Sequence, residues 1–221
     1  LFTIYFLEIC KMKILIIKFR NIGDVLLSTP LIENLKIKYP DAKIGFALNK
    51  GCEAMITQNP NVSKIHIYDR NKLKKMSFLK RLFSEISFAK EIKKEKYDIC
   101  IIFRSSYSKY AGLFARVSKA KRVIGVDENK EANFITDKIP YTDINEAKIC
   151  FEILKPLGIY YGGEKTFLSF SIKNEKYKDF IFFHVSSRVK KNKIIKDKIC
   201  EILKFLKIKY NNIIITAEDD N

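Results

Sequence analysis

The segment Lys13–Pro30 constrains the fold more than any other part of the chain, because it has the pattern of a buried strand followed by a turn and a helix. Ile14 to Ile17 form an unbroken apolar run, which is typical of a strand covered on both faces. Asn21 to Gly23 supply turn residues. The apolar residues that follow recur at helical spacing (Val25, Leu26, Leu27, Leu31, Ile32 and Leu35).

This pattern predicts that Asp24 lies in or near the first turn of a helix, beyond the carboxyl end of a central strand. Ligands of open α/β sheets bind at that edge of the sheet. An aspartate at a helix start also has an ordinary structural role, because it caps exposed amide groups and its charge suits the positive end of the helix dipole. The residues alone leave both interpretations of Asp24 open.

Apolar runs alternate with amphipathic stretches along most of the chain, which predicts βαβ units around a parallel sheet. Phe78 to Lys96 is predicted to be a helix with Phe and Leu on one face, and Arg70 to Lys75 a basic loop. His66 lies in an alternating strand and is expected to face outward. The predicted strands are at about 13–18, 43–48, 64–68, 98–103 and 121–125, with helices at about 24–38, 50–58, 79–96, 107–118 and 145–157.

Glycines and polar residues between Gly158 and Lys178 predict a domain boundary. Beyond it the pattern indicates a strand at 180–184, a helix at 196–209 and a second strand at 212–216. A two-stranded parallel unit cannot cover both of its faces, so this part is expected to be an incomplete domain. His184 is expected to be a structural residue that closes its strand.

The formal net charge of +17 favours anionic partners such as phosphates, nucleic acid or an acidic membrane surface. Its lysines are spread along the chain, so a general lysine bias is the alternative explanation. No segment reaches the length of a membrane span, and Leu1–Cys10 is too short. The five cysteines form no CxxC pair, which predicts buried thiols in a reducing cytoplasm and no metal cluster (Cys10, Cys52, Cys100, Cys150 and Cys200).

Several further segments follow Lys13–Pro30 in a consistent order: Tyr39–Gly45, Asn59–Ile65, Lys121–Asp127, Ile153–Ile159 and Phe183–Arg188. Together they resemble the glycosyltransferase family 9 heptosyltransferases, most closely the heptosyltransferase III type, which build the inner core of bacterial lipopolysaccharide. The resemblance implies the GT-B form of the α/β class, in which two Rossmann-like domains face a cleft. It further implies an extension at 1–11, an acceptor-binding domain at 12–165 and the start of a nucleotide-sugar domain, cut short, at 166–221.

The resemblance also implies an inverting, metal-independent transfer of heptose from ADP-heptose, without a cofactor, to the lipid A–core acceptor. Asp24 matches the family's general base. Ser186 and Ser187 match its hydroxyl pair for the donor diphosphate, and Lys191 its phosphate lysine. The pattern departs from the family at Lys193, where an aromatic residue is expected.

Arg104, Lys109 and Arg122 are weaker candidates for gripping the anionic acceptor, since they are predicted at strand ends and a helix start on the ligand-binding side. By the same resemblance the protein is expected in the cytoplasm, peripheral to the inner membrane and without a specific nucleic acid. As the second domain is cut short, this chain is expected to transfer no sugar by itself.

Three alternative interpretations compete with this one. A basic nucleic-acid-binding protein is suggested by charge, although the chain lacks a recognisable nucleic-acid-binding motif. A nicotinamide-dependent dehydrogenase is disfavoured because Phe19–Asp24 has a single glycine where the dinucleotide fingerprint needs three. A remnant without catalytic activity stays open.

Overall fold

The computed structural model describes residues 11–104, 107–127, 132–140, 146–160, 175–187 and 192–217. The chain divides into two units, Leu1–Phe170 and Ser171–Asn221, which are called unit 1 and unit 2 below. The strands of unit 1 in the described residues are β1 (Lys13–Lys18), β2 (Lys43–Asn49), β3 (Val62–Tyr68), β4 (Ile99–Ile102), β5 (Arg122–Val126) and β6 (Asp137–Ile139). Its helices are α1 (Ile22–Leu26), α2 (Thr29–Lys38), α3 (Arg70–Lys74), α4 (Phe78–Glu95), α5 (Lys109–Ser118) and α6 (Glu146–Leu154).

These strands form one sheet in the order β3-β2-β1-β4-β5-β6, and every neighbouring pair is parallel. β1 lies at the centre, where Ile16 pairs with Phe46 of β2 on one side and with Ile101 of β4 on the other. This is the strand order of a doubly wound nucleotide-binding fold. The predicted α/β class with a parallel sheet is confirmed.

Both faces of the sheet are covered, which explains the unbroken apolar run in β1. Ile14 and Ile16 belong to a core with residues of α2 and α6, including Leu31 and Ile153. Leu15 and Ile17 point to the opposite core. That second core contains Phe88 and Ile92 of α4 and Phe114 of α5. Successive side chains of a strand alternate between faces, so a strand covered twice has apolar residues at every position.

The single helix predicted at 24–38 is wrong, because the structure divides it into α1 and α2 near Ser28. Pro30 lies in the first turn of α2 and has no amide hydrogen to continue α1. The Leu26 carbonyl, which Pro30 cannot bind, accepts Thr29 Oγ1 at 2.8 Å instead. The Val25 carbonyl accepts both the Ser28 amide at 3.1 Å and the Ser28 Oγ at 2.5 Å. The break turns α1 into a short helix that follows β1 directly.

Three shorter elements also differ from prediction. The helix predicted at 50–58 is one 3₁₀ turn, Glu53–Met55, after Gly51, whose φ of +89° suits a glycine. The predicted basic loop at Arg70 is the short helix α3, and the Asp69 side chain caps it by accepting the Lys72 amide at 3.0 Å. β6 was not predicted.

The prediction that His66 faces outward is wrong, because the side chain is fully buried beneath α4. Its Nδ1 lies 2.6 Å from Glu91 Oε1 of α4, and its Nε2 lies 2.7 Å from the Tyr97 hydroxyl. The Tyr97 hydroxyl occupies the space above Gly45, so a Cβ atom at this position would collide with it. His66 therefore connects β3 to α4 and to Tyr97, two residues before β4.

Among the described cysteines, Cys52, Cys100 and Cys150 are buried thiols, as predicted. Burial raises the pKa of the Cys100 thiol to about 12. Cys200 differs from the prediction, because it lies on an exposed face of the unit 2 helix. Cys10 lies outside the described residues.

Unit 2 contains one βαβ segment in its described residues: β7 (Ile181–His184), α7 (Lys196–Lys209) and β8 (Ile213–Thr216). β7 and β8 are parallel, with Phe182 paired with Ile214. None of the three elements has a buried residue, although their sequences are rich in Ile and Phe. The strand–helix–strand pattern predicted for this region is confirmed.

Candidate functional site

The candidate site of unit 1 lies where strand order reverses, between the carboxyl ends of β1 and β4. β1 continues the sheet toward β2 on one side, and β4 continues it toward β5 on the other. The chain leaves β1 through a short turn into α1, and it leaves β4 through Phe103 and Arg104. A crevice forms outside the strands at such a point, because the two connections diverge.

Asp24 lies in the first turn of α1, immediately after this edge. Its Oδ2 accepts the Asn21 amide at 3.1 Å and lies 3.6 Å from Arg20 Nε. The N-cap of α1 is Asn21, and Asp24 is the third residue of the helix, whose carboxylate completes a capping box by binding the Asn21 amide. Its side chain is 21 % exposed, and within the described part of the chain both contacts are made by Oδ2. These contacts hold the carboxylate in place through Oδ2, and neither of them uses Oδ1.

The turn that carries Asp24 is fixed by the neighbouring strand. Asn49 at the end of β2 donates its Nδ2 to the Arg20 carbonyl at 3.1 Å. Cys52 Sγ lies 3.5 Å from the same oxygen. Since the backbone of the turn is held from β2, the position of Asp24 depends on packing within the sheet and does not rest on α1 alone.

Lys18, the last residue of β1, is a charged residue that is not among the predicted site residues. Its side chain is fully buried, and Nζ lies 3.9 Å from the centre of the Phe103 ring. Burying an ammonium group is costly, so a lysine in this position is unusual in a strand that has only a structural role. The available signal was a lysine that ends an otherwise apolar run.

Asp127 is a second buried charge at the same edge, directly after β5. Its Oδ2 lies 2.8 Å from Lys138 Nζ of β6 and accepts the Ala132 amide at 3.2 Å. In the sequence this aspartate ends the segment Lys121–Asp127, whose pattern assigns it no role. Its partners show that it links the end of β5 to β6.

The three predicted acceptor cations do not lie together. Arg104 follows β4 at the carboxyl edge and is half-buried, and Lys109 is exposed at the start of α5. Arg122 begins β5 and is paired in register with Ile99, the first residue of β4, so it lies at the opposite, amino edge. The expectation that Arg122 is on the ligand-binding side is therefore wrong.

Arg122 has a structural partner at the amino edge. Its guanidinium contacts Asp137 at 2.7 and 3.3 Å and donates to the Pro156 carbonyl at 3.0 Å. The hydrogen bond from Arg122 holds the pKa of the Asp137 carboxyl below its usual range. The arginine was misplaced because it was assigned to a strand end without regard to the direction of the strand.

Ser186 and Ser187 follow the carboxyl end of β7 in unit 2. Ser186 Oγ lies 3.2 Å from His184 Nε2, and His184 Nδ1 lies 3.1 Å from Thr216 Oγ1 of β8. His184 thus closes its strand as predicted, and it joins both strands to the serine that follows. Lys191, the predicted phosphate lysine, lies outside the described residues.

Neither a metal cluster nor a membrane span is found in the parts of the chain that the structure describes. In these ranges, no group of three or more His, Cys, Asp or Glu side chains is arranged to hold a metal ion. None of the helices there combines the length and the apolar character that are needed to cross a bilayer.

Comparison with solved structures defines the class of the fold. E. coli heptosyltransferase WaaC matches with a TM-score of 0.76 in its structure with ADP, at 18% identity, over 93% of this chain and 67% of that one. In its structure with ADP-2-deoxy-2-fluoro heptose the TM-score is 0.71, at 15% identity, over 95% and 70% of the two chains. A glycosyltransferase of family 9 from Veillonella parvula matches with a TM-score of 0.74, at 18% identity, over 92% and 62%. The fold is that of the GT-B glycosyltransferases.

Comparison with characterised proteins gives a more specific relationship. Lipopolysaccharide heptosyltransferase 3 of E. coli is 26% identical over 153 residues, which cover 67% of this chain. The chain matches only 44% of the length of that relative. No family model matches the sequence. The predicted relationship to the glycosyltransferase family 9 heptosyltransferases is confirmed by the sequence and the fold together.

Proposed function

We propose that this chain supplies the acceptor side of a heptosyltransferase that extends the inner core of lipopolysaccharide, with ADP-heptose as the donor. The observation that carries the proposal is the position of Asp24 at the carboxyl edge of β1, on a fold shared with WaaC. The sequence relationship to a lipopolysaccharide heptosyltransferase supports the acceptor class. The structures of WaaC with ADP and with a fluorinated ADP-heptose support the donor class.

In the proposed reaction Asp24 acts as the general base. The acceptor hydroxyl oxygen attacks the anomeric carbon of the heptose while the bond from that carbon to the diphosphate oxygen breaks. The hydroxyl proton passes to the Asp24 carboxylate, and ADP leaves with the bonding electrons. Attack on the face opposite the leaving group inverts the anomeric configuration. No step in this scheme calls for a metal ion, because cationic side chains can neutralise the leaving diphosphate.

The remaining predicted residues have supporting roles in this proposal. Arg104 and Lys109 attract the phosphates and sugar acids of the acceptor at the carboxyl edge of unit 1. Ser186, Ser187 and Lys191 bind the donor diphosphate at the end of β7, where hydroxyl groups and a cation suit phosphate oxygens. We assign residues 12–165 to the acceptor domain and residues 166–221 to the start of the donor domain.

We further propose that the 221-residue chain by itself transfers no sugar. The nucleoside of the donor needs a pocket that excludes water, and the elements of unit 2 that the structure describes bury none of their residues. The base in unit 1 can therefore be tested in a hybrid, in which unit 1 is joined to the second domain of the E. coli heptosyltransferase 3.

The test compares two substitutions of Asp24 in the hybrid. Asp24→Ala removes both the base and the helix cap, whereas Asp24→Asn keeps an oxygen that can accept the Asn21 amide. Both are expected to lower kcat by at least ~10², the usual scale for loss of a general base. Asp41→Asn, which removes an exposed carboxylate before β2, is the matched control and should keep full activity. A hybrid whose Asp24→Asn variant turned over at the unsubstituted rate would refute the assignment.

A further inference from the structure

Helix α4 has two apolar faces, and only one of them is packed. The inner face contributes Phe88 and Ile92 to the core of unit 1. The Phe88 ring lies 5.2 Å from the Tyr68 ring and 4.8 Å from the Phe114 ring. The outer face carries five further large apolar side chains that are exposed: Phe78, Leu79, Leu82, Phe83 and Ile86.

The outer residues form one continuous stripe, because they are spaced three and four residues apart along the helix. Phe78 is 77% exposed and Phe83 is 70% exposed, although both rings would gain by burial. The same stripe continues toward the end of α4 as Lys90 and Lys93, which are also exposed. The stripe, here called the α4 stripe, is thus apolar over its first turns and basic over its last ones.

Further cations lie beside the apolar end of the stripe. A cavity of about 80 Å³ is lined by Arg70 and Lys74 of α3 and by Arg81 of α4, so α3 lies next to the first turns of α4. Lys72, Lys74 and Lys75 are exposed in and just after α3. The apolar part of the α4 stripe is therefore followed by the lysines at the end of α4, and the lysines of α3 lie beside its beginning.

We propose that the α4 stripe docks unit 1 on an anionic lipid bilayer. Large apolar side chains flanked by lysines are the composition of helices that lie in a membrane interface, where the apolar face enters the headgroup region and the cations pair with anionic lipids. A second copy of the chain fits the stripe less well, because it would bring the same excess of positive charge, +17 in total, to the contact.

This inference rests on the proposed function in one respect. The proposed acceptor is anchored in a membrane by lipid A, which gives the protein a reason to bind a bilayer. Vesicle binding, however, needs neither donor nor acceptor. Failure of the docking surface and failure of the transferase are therefore separate results.

The experiment measures sedimentation of the full 221-residue chain with lipid vesicles. One set of vesicles is pure phosphatidylcholine, and the other contains about 30% phosphatidylglycerol, a fraction that gives a strongly negative surface. The unsubstituted chain should bind the anionic vesicles at least ~10-fold more strongly, and added salt should weaken this binding. Combining Phe78→Gln, Leu79→Gln and Phe83→Gln should lower binding by at least ~10-fold.

Two further variants make the test specific. Lys90→Gln with Lys93→Gln should weaken binding to anionic vesicles and reduce its salt dependence. Ile37→Gln with Ile208→Gln is the matched control, because it removes two exposed apolar side chains outside the α4 stripe and should leave binding within about two-fold. All substituted side chains are exposed, so circular dichroism should show unchanged folding.

Three results would overturn the proposal. One is absence of binding to anionic vesicles by the unsubstituted chain. Another is an equal loss of binding in the control variant, which would indicate general stickiness of exposed apolar residues. The third is sedimentation of the chain as a dimer that the triple glutamine variant abolishes, without vesicle binding, which would assign the stripe to contact between copies.

Discussion

Units 1 and 2 contain the same motif with opposite degrees of burial. In unit 1, β1 and β2 are parallel strands joined through helical segments, and both faces of the sheet are covered by a core. In unit 2, β7 and β8 are parallel and joined by α7, yet none of the three elements has a buried residue. A βαβ segment has the same local geometry in both settings, so the local pattern forms the motif and additional layers supply its stability.

The same difference in burial distinguishes the proposed base, Asp24, from the residues that are proposed to bind the donor. Asp24 follows a strand that is fully buried, and its turn is held from β2. Ser186 follows a strand whose side chains are at best half-buried. A base must be held in a defined position, and a buried sheet provides this. If burial is the cause, the stable structure and the well-defined side-chain positions should be confined to unit 1.

The largest expected contrast is in amide hydrogen exchange of the intact chain. Amides in the centre of β1 should exchange only on global unfolding, because both neighbouring strands and both cores protect them. Amides in β7 and β8 should exchange at least ~10³-fold faster, which corresponds to a stability difference of ~4 kcal/mol. Exchange followed by mass spectrometry of peptic peptides gives both rates. Equal protection of β1 and β8 would contradict the contrast.

A matched pair of truncations should give the next largest difference. Ile16→Ala removes a fully buried side chain from β1, which should lower the free energy of unfolding by ~2–5 kcal/mol. Ile215→Ala removes a half-exposed side chain from β8 and should change it by less than ~1 kcal/mol. Near-ultraviolet circular dichroism in urea follows the buried tyrosines of unit 1, which suits a chain without tryptophan. A larger loss for Ile215→Ala would show that unit 2 is packed in solution.

Sequence patterns predicted the central strands well, since a strand buried on both faces has no polar interruption, as Ile14 to Ile17 illustrate. They failed where tertiary contacts decide the outcome. β6 has three residues, which is too short for a repeating pattern of apolar side chains. His66 lies in a segment where apolar and polar residues alternate, as in a half-exposed strand, but α4 covers it. Pro30 is a sequence signal for the break between α1 and α2, because proline lacks the amide hydrogen that a continuous helix needs.

The residues of the candidate site were likewise only partly predictable from the sequence. The position of Asp24 followed from a strand, a turn and a helix that are contiguous in sequence. Lys18 and Asp127 were missed because burial of a charge depends on partners that the sequence does not place beside it, Phe103 and Lys138. Arg122 was placed at the wrong edge although it precedes the apolar run of β5 in the sequence, and a residue before a strand lies at the amino end of that strand.

The smallest predicted effect concerns pH and again distinguishes the two units through their histidines. His66 is buried between Glu91 and Tyr97, whereas His184 is exposed. Burial lowers the pKa of His66 below its ordinary value of 6.5, because the charged imidazolium loses hydration, and this outweighs the opposing effect of Glu91. Below that ordinary value the unfolded chain therefore binds a proton at this histidine more readily than the folded chain does.

His66 does not penalise folding above pH about 6.5, where it is neutral in both states, and its penalty grows as the pH falls from there toward the lowered pKa of the folded state. The free energy of unfolding should thus decrease between about pH 7.5 and pH 5 in the unsubstituted chain, and this decrease should be smaller in His66→Gln, which cannot titrate. His184→Gln is the matched control and should retain the full decrease. If His66→Gln lost stability toward acid as steeply as the control, the acid sensitivity would originate from other groups, and the buried histidine would not distinguish unit 1 from unit 2.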